Sequence, residues 1–305
     1  MKYCIIGIGN HAKTKIYPSL IKNKKNIVYT VTRRKKNLIK NSKNFTTIHT
    51  AYKFLGNKTI YIISTPPSKH FYFLEYLLTK NVPYIYCEKP LLTRLKDYQK
   101  LFKYMKNNQK IIEIYPYKKT LMYKNFKEFY RNNKKNISKI KLKFTIPKLP
   151  NQTFRDKKGI QNSLLYDIGC YPIDLLISSR IINEVEKIKN LKINNYKDQY
   201  VINFNYIDLN IVINVGLSKY YSNYIKLTTK NNLKITFNKF FYARDSKKNI
   251  TYYKQNNKIN KTIIINDKNT FVTYFENFKD ISYKKILVFL KMSFLNLKIL
   301  DYINK

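Results

Sequence analysis

The chain contains little cysteine, little glycine, no tryptophan and few acidic residues. Its three cysteines, Cys4, Cys87 and Cys170, form no CxxC pair, so we expect neither a disulfide framework nor a metal site. No run approaches the roughly 18 consecutive apolar residues that a transmembrane helix needs. The apolar stretch after Met1 is too short and wrongly flanked for a signal peptide. These absences favour a cytoplasmic protein that has no membrane partner.

Acidic residues are outnumbered by basic ones, 17 against 60, which gives a formal net charge of +43. Such a charge is typical of nucleic-acid-binding proteins, because lysine neutralises phosphate. The lysines are nevertheless spread along the whole chain, together with many Asn, Ile and Tyr, and there is no zinc-finger spacing and no basic tail. We therefore favour compositional drift over a specific nucleic-acid partner, although a basic surface attracts polyanions weakly.

The apolar pattern of the first third predicts alternating strands and helices. Length alone suggests about two domains, and 44% apolar residues suffice for a sizeable core. Strands alternating with helix-length segments imply βαβ units and a parallel sheet. The predicted strands are Tyr3 to Ile6, Asn26 to Thr32, Thr59 to Ser64, Tyr84 to Cys87 and Ile111 to Tyr115.

From about residue 137 the pattern favours antiparallel strands. Ile202, Phe204 and Tyr206 alternate with two asparagines, as expected for a sheet with one buried face. The prediction is therefore an α/β protein. A Rossmann domain with a doubly wound parallel sheet would span 1–118, followed at 119–305 by an α+β domain with a large, mainly antiparallel open sheet.

Residues 7–12 have the form GxGxxA, directly after the first strand and at the start of a helix. Gly7 permits a tight turn, Gly9 lets the backbone approach a pyrophosphate, and Ala12 allows close packing of helix on strand. Asn10 and His11 lie in the same turn, where free N–H groups face a phosphate. This turn predicts a dinucleotide-binding site.

The end of the second predicted strand indicates which dinucleotide is bound. NAD sites usually place an acidic residue about 20 residues after the glycines, but no Asp or Glu precedes Glu75. Thr32-Arg33-Arg34 stands there instead, and a guanidinium binds a 2′-phosphate through two hydrogen bonds. NADP is therefore the predicted cofactor, with NAD as the alternative.

Three further motifs follow in order: Ser64-Thr65-Pro66-Pro67 with His70 close behind, Cys87-Glu88-Lys89-Pro90, and the segment from Asp167 to Asp174. Each is weak by itself, but the ordered set resembles the Gfo/Idh/MocA oxidoreductases (glucose–fructose oxidoreductase, inositol dehydrogenase and relatives) over most of the chain. Beyond the glycine turn and residues 32–34, the resemblance implies cofactor contacts from Thr65, Pro66, His70, Glu88 and Lys89.

The resemblance also implies catalytic roles. Lys89 would lie beside the nicotinamide and handle the hydroxyl proton, although a lysine with an ordinary pKa of about 10.4 is a poor base. Tyr171 is its rival for the proton, or its partner. Asp167 would bind substrate hydroxyls or hold the pair in place, and Arg155 would contact the substrate or the cofactor. Asp174 is expected to be mainly structural.

Two departures from the family pattern leave the substrate open. Gln161-Asn162-Ser163 stands where the family often has a glycine-rich turn, and a usual arginine is absent from the neighbourhood of Tyr115-Pro116-Tyr117. The leading prediction is an NADP-dependent oxidoreductase of a sugar, nucleotide sugar or polyol. The alternatives are a same-fold reductase of an imine or tetrapyrrole, and a non-catalytic sensor or scaffold. The resemblance also implies a homodimer or homotetramer.

Overall fold

The computed structural model describes residues 1–33, 39, 42–148, 163–196, 198–253, 258–275 and 281–304. The chain divides into two compact units. The first contains residues 1–115 and 271–297, and the second contains residues 116–270 and 298–305. A segment near the C-terminus thus completes the unit that the N-terminus begins. The domain limits predicted from the sequence, 1–118 and 119–305, stay a prediction.

The first unit contains a six-stranded parallel sheet with the order β3-β2-β1-β4-β5-β6. From β1 the chain moves outward to β2 and β3, and then crosses to the other side of β1 for β4, β5 and β6. This reversal creates a switch point beside β1, where doubly wound sheets bind ligands at the carboxyl ends of their strands. The strands are β1 (Lys2–Ile6), β2 (Ile27–Val31), β3 (Asn44–Phe45), β4 (Ile60–Ile63), β5 (Tyr84–Cys87) and β6 (Lys110–Glu113).

The helices of this unit begin where the sequence supplies suitable ends. Thr47 caps α2, because its hydroxyl accepts a hydrogen bond from the Thr50 N–H at 3.1 Å. After Gly9 a π-helical turn, Ala12–Ile16, leads into α1. The helices that belong wholly or mostly to the first unit are α1 (Tyr17–Ile21), α2 (Ile48–Leu55), α3 (His70–Thr79), α4 (Leu95–Tyr104), α7 (Thr270–Tyr274) and α8 (Tyr283–Ile303).

Hydrogen bonds of α7 join the C-terminal segment to the parallel sheet. The Tyr274 hydroxyl donates to the Glu113 carbonyl at 2.8 Å and accepts from the Tyr115 N–H at 3.0 Å. The Tyr86 hydroxyl donates to the Tyr274 carbonyl at 3.3 Å. Residues of β5, of β6 and just after β6 are therefore hydrogen-bonded to Tyr274, which comes more than 150 positions later.

The second unit contains an eight-stranded sheet with the order β14-β13-β12-β11-β7-β10-β9-β8. Strands β7 and β10 pair in parallel, and the other neighbours pair antiparallel. Helices α5 (Leu121–Asn133) and α6 (Cys170–Ser178) belong to this unit. The strands are β7 (Ile137–Pro147), β8 (Ile188–Tyr196), β9 (Gln199–Tyr206), β10 (Leu209–Ser218), β11 (Ser222–Thr229), β12 (Lys234–Asn238), β13 (Ser246–Tyr253) and β14 (Ile259–Asp267).

The alternation predicted for this sheet is confirmed in β9. Ile202, Phe204 and Tyr206 are buried, whereas Asn203 and Asn205 are half-exposed. One face of the sheet therefore forms the core of the second unit and the other meets solvent. Among the described residues, no helix has both the length and the apolar character needed to cross a membrane.

Candidate functional site

The turn after β1 requires glycine at its first position. Gly7 has φ of +89°, which L side chains rarely adopt. A Cβ at this position would lie 2.7 Å from Thr65 Cγ2 and 2.8 Å from the Ser64 carbonyl oxygen. Gly7 also donates to the Val31 carbonyl at 3.0 Å. The turn is therefore held against the ends of both strands that flank β1.

Gly9 stands in different surroundings. A Cβ there would meet no described heavy atom within 4 Å, so the backbone faces open space. Asn10 and His11 are exposed, while Ala12 is fully buried under the turn. An exposed glycine backbone followed by helical N–H groups fits the pyrophosphate of a dinucleotide.

Thr65 supplies a polar atom beside the same turn. Its Oγ1 is buried and has no hydrogen-bond partner among the described residues. A buried hydroxyl without a partner costs free energy unless something else satisfies it. A cofactor oxygen is one group that would do so, and the residues present therefore fit a bound dinucleotide. The neighbouring Pro66 is exposed.

The end of β2 carries the residues predicted to select the cofactor. The Thr32 N–H donates to the Phe45 carbonyl at 2.9 Å, and the Asn44 amide donates to the Thr32 carbonyl at 3.3 Å. Arg33 is exposed. Arg34 lies outside the described residues. The backbone at Thr32 is thus held in place, and the first arginine projects from a supported strand end.

Glu88 begins the loop that carries Lys89, and this loop contacts the glycine turn. The Glu88 N–H donates to the Ile63 carbonyl at 2.9 Å, and its Oε1 lies 3.1 Å from His11 Nε2. Burial raises the pKa of the Glu88 carboxyl, but His11 and Lys89 outweigh it, so the pKa lies below its usual range. Glu88 is therefore ionised at neutral pH, and its contact with His11 joins the two loops. Lys89 is half-buried, and its peptide bond to Pro90 is cis.

His70 links the same loop to the one after β4. Its Nδ1 lies 3.0 Å from the Pro90 carbonyl oxygen and 3.2 Å from that of Leu91. Its Nε2 lies 2.9 Å from the Thr65 carbonyl oxygen. Burial lowers the pKa of this imidazole, although the carbonyls oppose that effect. Because both ring nitrogens face main-chain oxygens, the geometry favours a structural link over direct contact with a cofactor.

Glu113 is a site residue that the sequence reasoning missed. It ends β6, and its Oε1 accepts from the Leu91 N–H at 2.8 Å. Its other carboxylate oxygen accepts a hydrogen bond from Ser293 Oγ. One signal was available, since Glu113 is one of only 17 acidic residues and lies within a predicted parallel strand. The loop from Glu88 to Leu91 is thus held at three points, by His11, His70 and Glu113.

In the second unit, Asp167 and Tyr171 share one helical segment. A π-helical turn, Leu165–Gly169, leads directly into α6. Asp167 is buried, and its N–H donates to the Ser163 carbonyl at 3.1 Å. Tyr171 is half-buried and packs against an aromatic cluster, with ring-centroid distances of 5.0 Å to Phe144, 5.8 Å to Phe241 and 6.0 Å to Tyr117.

The Asp174 side chain, on the same helix, makes structural contacts. It accepts a hydrogen bond from the Tyr117 hydroxyl, and Lys118 Nζ lies 2.6 Å from its Oδ1. Burial raises the pKa of Asp174 above its usual range, and Lys118 offsets that only in part. Arg155 and the predicted Gln161-Asn162 turn lie outside the described residues.

Within the first unit, the structure brings together Gly7, Thr65, Glu88 and Lys89, because they follow parallel strands β1, β4 and β5 at one edge of the sheet. Within the second unit, it places Asp167 and Tyr171 on one helical segment. The roles assigned to these residues stay predictions.

Residues 1–115 match the model of a family described as oxidoreductases with an NAD-binding Rossmann fold, Gfo/Idh/MocA. No curated protein matches the chain in sequence. The structure is similar to that of a 3-ketoreductase from Actinomadura kijaniata in complex with NADP and TDP-benzene, with a TM-score of 0.81 and 14% identity, over 99% of this chain and 96% of that one.

A second similar structure is a Gfo/Idh/MocA family oxidoreductase from Vibrio cholerae. Its TM-score is 0.72 at 12% identity, and the match covers 100% of this chain and 98% of that one. At such identities the likeness establishes the fold. The predicted fold class, a Rossmann sheet followed by a large, mainly antiparallel sheet, is confirmed.

Proposed function

We propose that the chain is an NADP-dependent oxidoreductase. The premise is that it belongs, through residues 1–115, to the Gfo/Idh/MocA oxidoreductases. It would move a hydride between the nicotinamide and a carbon of a sugar, nucleotide sugar or polyol. One observation carries the proposal: the 3.1 Å contact between His11 and Glu88, which joins the glycine turn to the loop of Lys89. A cofactor turn and a candidate proton-transfer group are thereby held at one edge of one sheet.

The residues of the first unit have distinct tasks toward the cofactor. The backbone at Gly7 and Gly9 would hold the pyrophosphate, and Thr65 Oγ1 would donate to one of its oxygens. Arg33 and Arg34 would bind the 2′-phosphate, since a guanidinium binds phosphate through two parallel hydrogen bonds. The bound nicotinamide would supply or accept the hydride.

Lys89 and Tyr171 are the candidates for the accompanying proton. As an ammonium group, Lys89 can donate a proton to the oxygen of a carbonyl that is being reduced, and as an amine it can accept one from a hydroxyl that is being oxidised. Tyr171 can do the same through its phenol. Asp167 would accept hydrogen bonds from substrate hydroxyls, and Arg155 would contact the substrate.

The substrate class rests on a fold likeness and on charge. The Actinomadura kijaniata enzyme is a 3-ketoreductase that was crystallised with a TDP compound and NADP. A substrate that carries a diphosphate would also be attracted to a chain with a formal charge of +43. A nucleotide sugar is therefore the substrate to test first.

The cofactor assignment is tested by titrating the protein with NADPH and NADH while nucleotide fluorescence is recorded. We expect NADPH to bind at least tenfold more tightly, and Arg33→Ala to remove most of that preference. Arg131→Ala, which removes an exposed arginine from α5, is the matched control and should leave both affinities unchanged. Tighter binding of NADH would contradict the assignment.

The catalytic assignment is tested with a panel of nucleotide sugars, sugars and polyols, by following absorbance of the reduced nicotinamide. Loss of a general acid or base typically costs about 10²–10⁴-fold in rate, so Lys89→Met and Tyr171→Phe should each lower kcat while NADPH still binds. Turnover that survives both substitutions would refute the roles. NADPH binding without turnover of any compound would support a non-catalytic sensor or scaffold instead.

A further inference from the structure

Glu113 binds the main chain shortly after Lys89. Its Oε1 accepts a hydrogen bond from the Leu91 N–H at 2.8 Å. Because Pro90 has no N–H, this amide is the first main-chain donor that follows Lys89 in the sequence. Leu91 is fully buried, whereas Lys89 is half-buried. The lysine is thus followed, two residues later, by a buried residue whose amide Glu113 holds.

Glu113 has this position because β5 and β6 end side by side. The register pairs Cys87, the last residue of β5, with Glu113, the last residue of β6. The Ile114 N–H donates to the Cys87 carbonyl at 2.8 Å, which extends the pairing by one residue. The carboxyl ends of both strands lie at the edge where doubly wound sheets bind ligands. Strand pairing therefore places the main chain of Glu113 next to the strand that leads into Lys89.

The second oxygen of the same carboxylate is bound from helix α8. Ser293 Oγ donates to Glu113 Oε2, and Ser293 comes 180 positions later in the chain. The serine is itself buried. Each carboxylate oxygen thus accepts a hydrogen bond, one from the loop after Lys89 and one from α8, and the two donors together fix the direction of the carboxylate.

A buried tyrosine packs beside this pair. Tyr98 of α4 is almost fully buried, and its ring centre lies 5.4 Å from that of Phe294, in an edge-to-face contact. Burial, followed by the charge of Glu113, raises the pKa of Tyr98 well above its usual range. Ser293 and the main chain of Leu92 oppose that shift, so they too lie near the phenol. The carboxylate and its donors are therefore surrounded by packed residues of α4 and α8.

A second side chain binds the same stretch through its carbonyl groups. His70 Nδ1 lies 3.0 Å from the Pro90 carbonyl oxygen and 3.2 Å from that of Leu91. The two side chains connect the stretch to different parts of the first unit. His70 Nε2 lies 2.9 Å from the Thr65 carbonyl oxygen, on the loop after β4, whereas Glu113 connects the stretch to α8. Glu113 therefore does not duplicate His70.

We propose that Glu113 and Ser293 are positioning residues for the proton transfer assigned to Lys89. The inference rests on the proposed function, because it presupposes that role of Lys89. Glu113 would fix the main chain after the lysine, and Ser293 would fix the carboxylate. The amino group would thereby stay at the distance and angle that proton transfer requires. Glu113 is not itself the acid or base, since both of its oxygens accept hydrogen bonds from the protein.

The first test follows turnover of the nucleotide-sugar panel and binding of NADPH by the full-length protein. A misplacement of about 1 Å can cost about 10²-fold in rate, so Glu113→Ala should lower kcat by about that factor and leave the Kd for NADPH nearly unchanged. Ser293→Ala should lower kcat less, and Ser293→Thr, which keeps the hydroxyl, should restore most of it. A loss of NADPH affinity in parallel with kcat would overturn the proposal, because the whole site would then be disturbed.

Glu113→Gln separates the hydrogen bond from the charge. Glutamine keeps an acceptor oxygen for the Leu91 N–H, and its amide nitrogen can donate to Ser293 Oγ. This variant should therefore retain most of the wild-type kcat. Equal losses in Glu113→Gln and Glu113→Ala would overturn the proposal, since the negative charge would then matter and the bond to Leu91 would not.

Matched controls remove the same chemical groups elsewhere in the first unit. Glu75 of α3 is half-buried, as is Glu113, and Ser19 of α1 is buried, as is Ser293. Glu75→Ala and Ser19→Ala should keep the wild-type kcat, and circular dichroism verifies that every variant is folded at the assay temperature. Controls that lose as much kcat as Glu113→Ala and Ser293→Ala would overturn the proposal, because a general loss of stability would then explain the rates.

Amide hydrogen exchange, measured by mass spectrometry with NADPH bound, tests the hold on the loop without a substrate. In Glu113→Ala the Leu91 amide should exchange faster than in the wild type. The Glu88 amide, which donates to the Ile63 carbonyl at 2.9 Å, should exchange at the wild-type rate. Unchanged exchange at Leu91 would overturn the proposal even if kcat fell.

Failure of the proposed function would give a different result. A wild-type protein that turns over no compound of the panel would overturn the role of Lys89 and the positioning role together. Wild-type turnover that Glu113→Ala retains in full would overturn the positioning role alone and leave the proposed function standing.

Discussion

At the scale of single residues, the two glycines of the phosphate turn meet different demands. Gly7 is required by the protein itself, because its φ of +89° and the nearby Ser64 carbonyl leave no room for a Cβ. Gly9 has an ordinary φ and open space in front of it. The GxGxxA pattern therefore combines one glycine needed for folding with one that we assign to the cofactor.

Substitution by alanine should separate these two demands. Gly7→Ala should lower the free energy of unfolding by about 1–3 kcal/mol, because a non-glycine residue is forced to positive φ. Gly9→Ala should unfold like the wild type but bind NADPH at least tenfold more weakly. Urea denaturation and NADPH fluorescence measure the two effects. If Gly9→Ala bound NADPH normally, the assignment of the turn to the pyrophosphate would be wrong.

His70 predicts a pH dependence of stability. Burial lowers its pKa in the folded protein below the ordinary value of about 6.5. Between the two pKa values the unfolded chain binds more protons, so the free energy of unfolding rises with pH in that window. This stability is fully present above pH 6.5 and is lost as the pH falls through the lowered pKa.

The expected result, measured by urea denaturation, is an unfolding free energy that rises as the pH increases toward about 6.5. His70→Gln should flatten that rise. His49→Gln, which replaces an exposed histidine on α2, should preserve it. A wild-type protein whose stability does not change across this range would contradict the role of burial at His70.

At the scale of secondary-structure elements, a buried ion pair joins two strands to a helix. Lys248 of β13 and Asp267 of β14 lie 2.9 Å apart, with both side chains almost fully buried. Asp267 Oδ1 also accepts from the Leu121 N–H, at 2.6 Å, at the start of α5. The carboxylate therefore neutralises the lysine and caps the helix, and its negative charge suits the helix N-terminus.

Breaking this pair on one side should be costly. Lys248→Met or Asp267→Asn leaves a buried group without its partner, and such changes cost about 3–5 kcal/mol. The double variant should be less destabilised than the sum of the two single variants, because it leaves no uncompensated charge. Lys187→Met, which breaks the exposed pair with Glu184, is the control and should leave thermal unfolding unchanged. Additive effects at 248 and 267 would contradict the coupling.

At the scale of the whole molecule, the first unit is not continuous in sequence. Residues 271–297 belong to it, and they bring Tyr274, Phe275 and Ser293. Tyr3 donates to the Phe275 carbonyl at 3.3 Å, and Ser293 bonds to the Glu113 carboxylate, which holds the Lys89 loop. Residues beyond position 118, among them the buried Phe275, therefore pack within the first unit.

A fragment of residues 1–118 should consequently be far less stable than a chain in which a Gly/Ser linker joins residues 1–118 to 271–305. We expect the linked chain to unfold cooperatively on heating and to bind NADPH, whereas the shorter fragment should show neither property. Circular dichroism and fluorescence titration measure both. A fragment of residues 1–118 that folds and binds NADPH by itself would show that the C-terminal segment is dispensable.

The sequence by itself determined the alternation of strands and helices, the glycine turn and the alternating faces of the second sheet. These features depend on neighbours close in sequence: apolar runs that sheets bury, a residue that tolerates positive φ, and a period of two. They sufficed for the fold class, whereas the family resemblance depended in addition on the ordered motifs between Ser64 and Asp174.

Only the tertiary structure decided which distant residues meet. Four contacts join segments that sequence spacing does not relate. They are the His11–Glu88 contact, the link through His70, the hydrogen bond from Leu91 to Glu113 and the Lys248–Asp267 pair. The same holds for the second sheet, since strand register places Lys141 opposite Lys226, 85 positions later. Pairing order and register follow from how the whole chain packs, and no local pattern contains them.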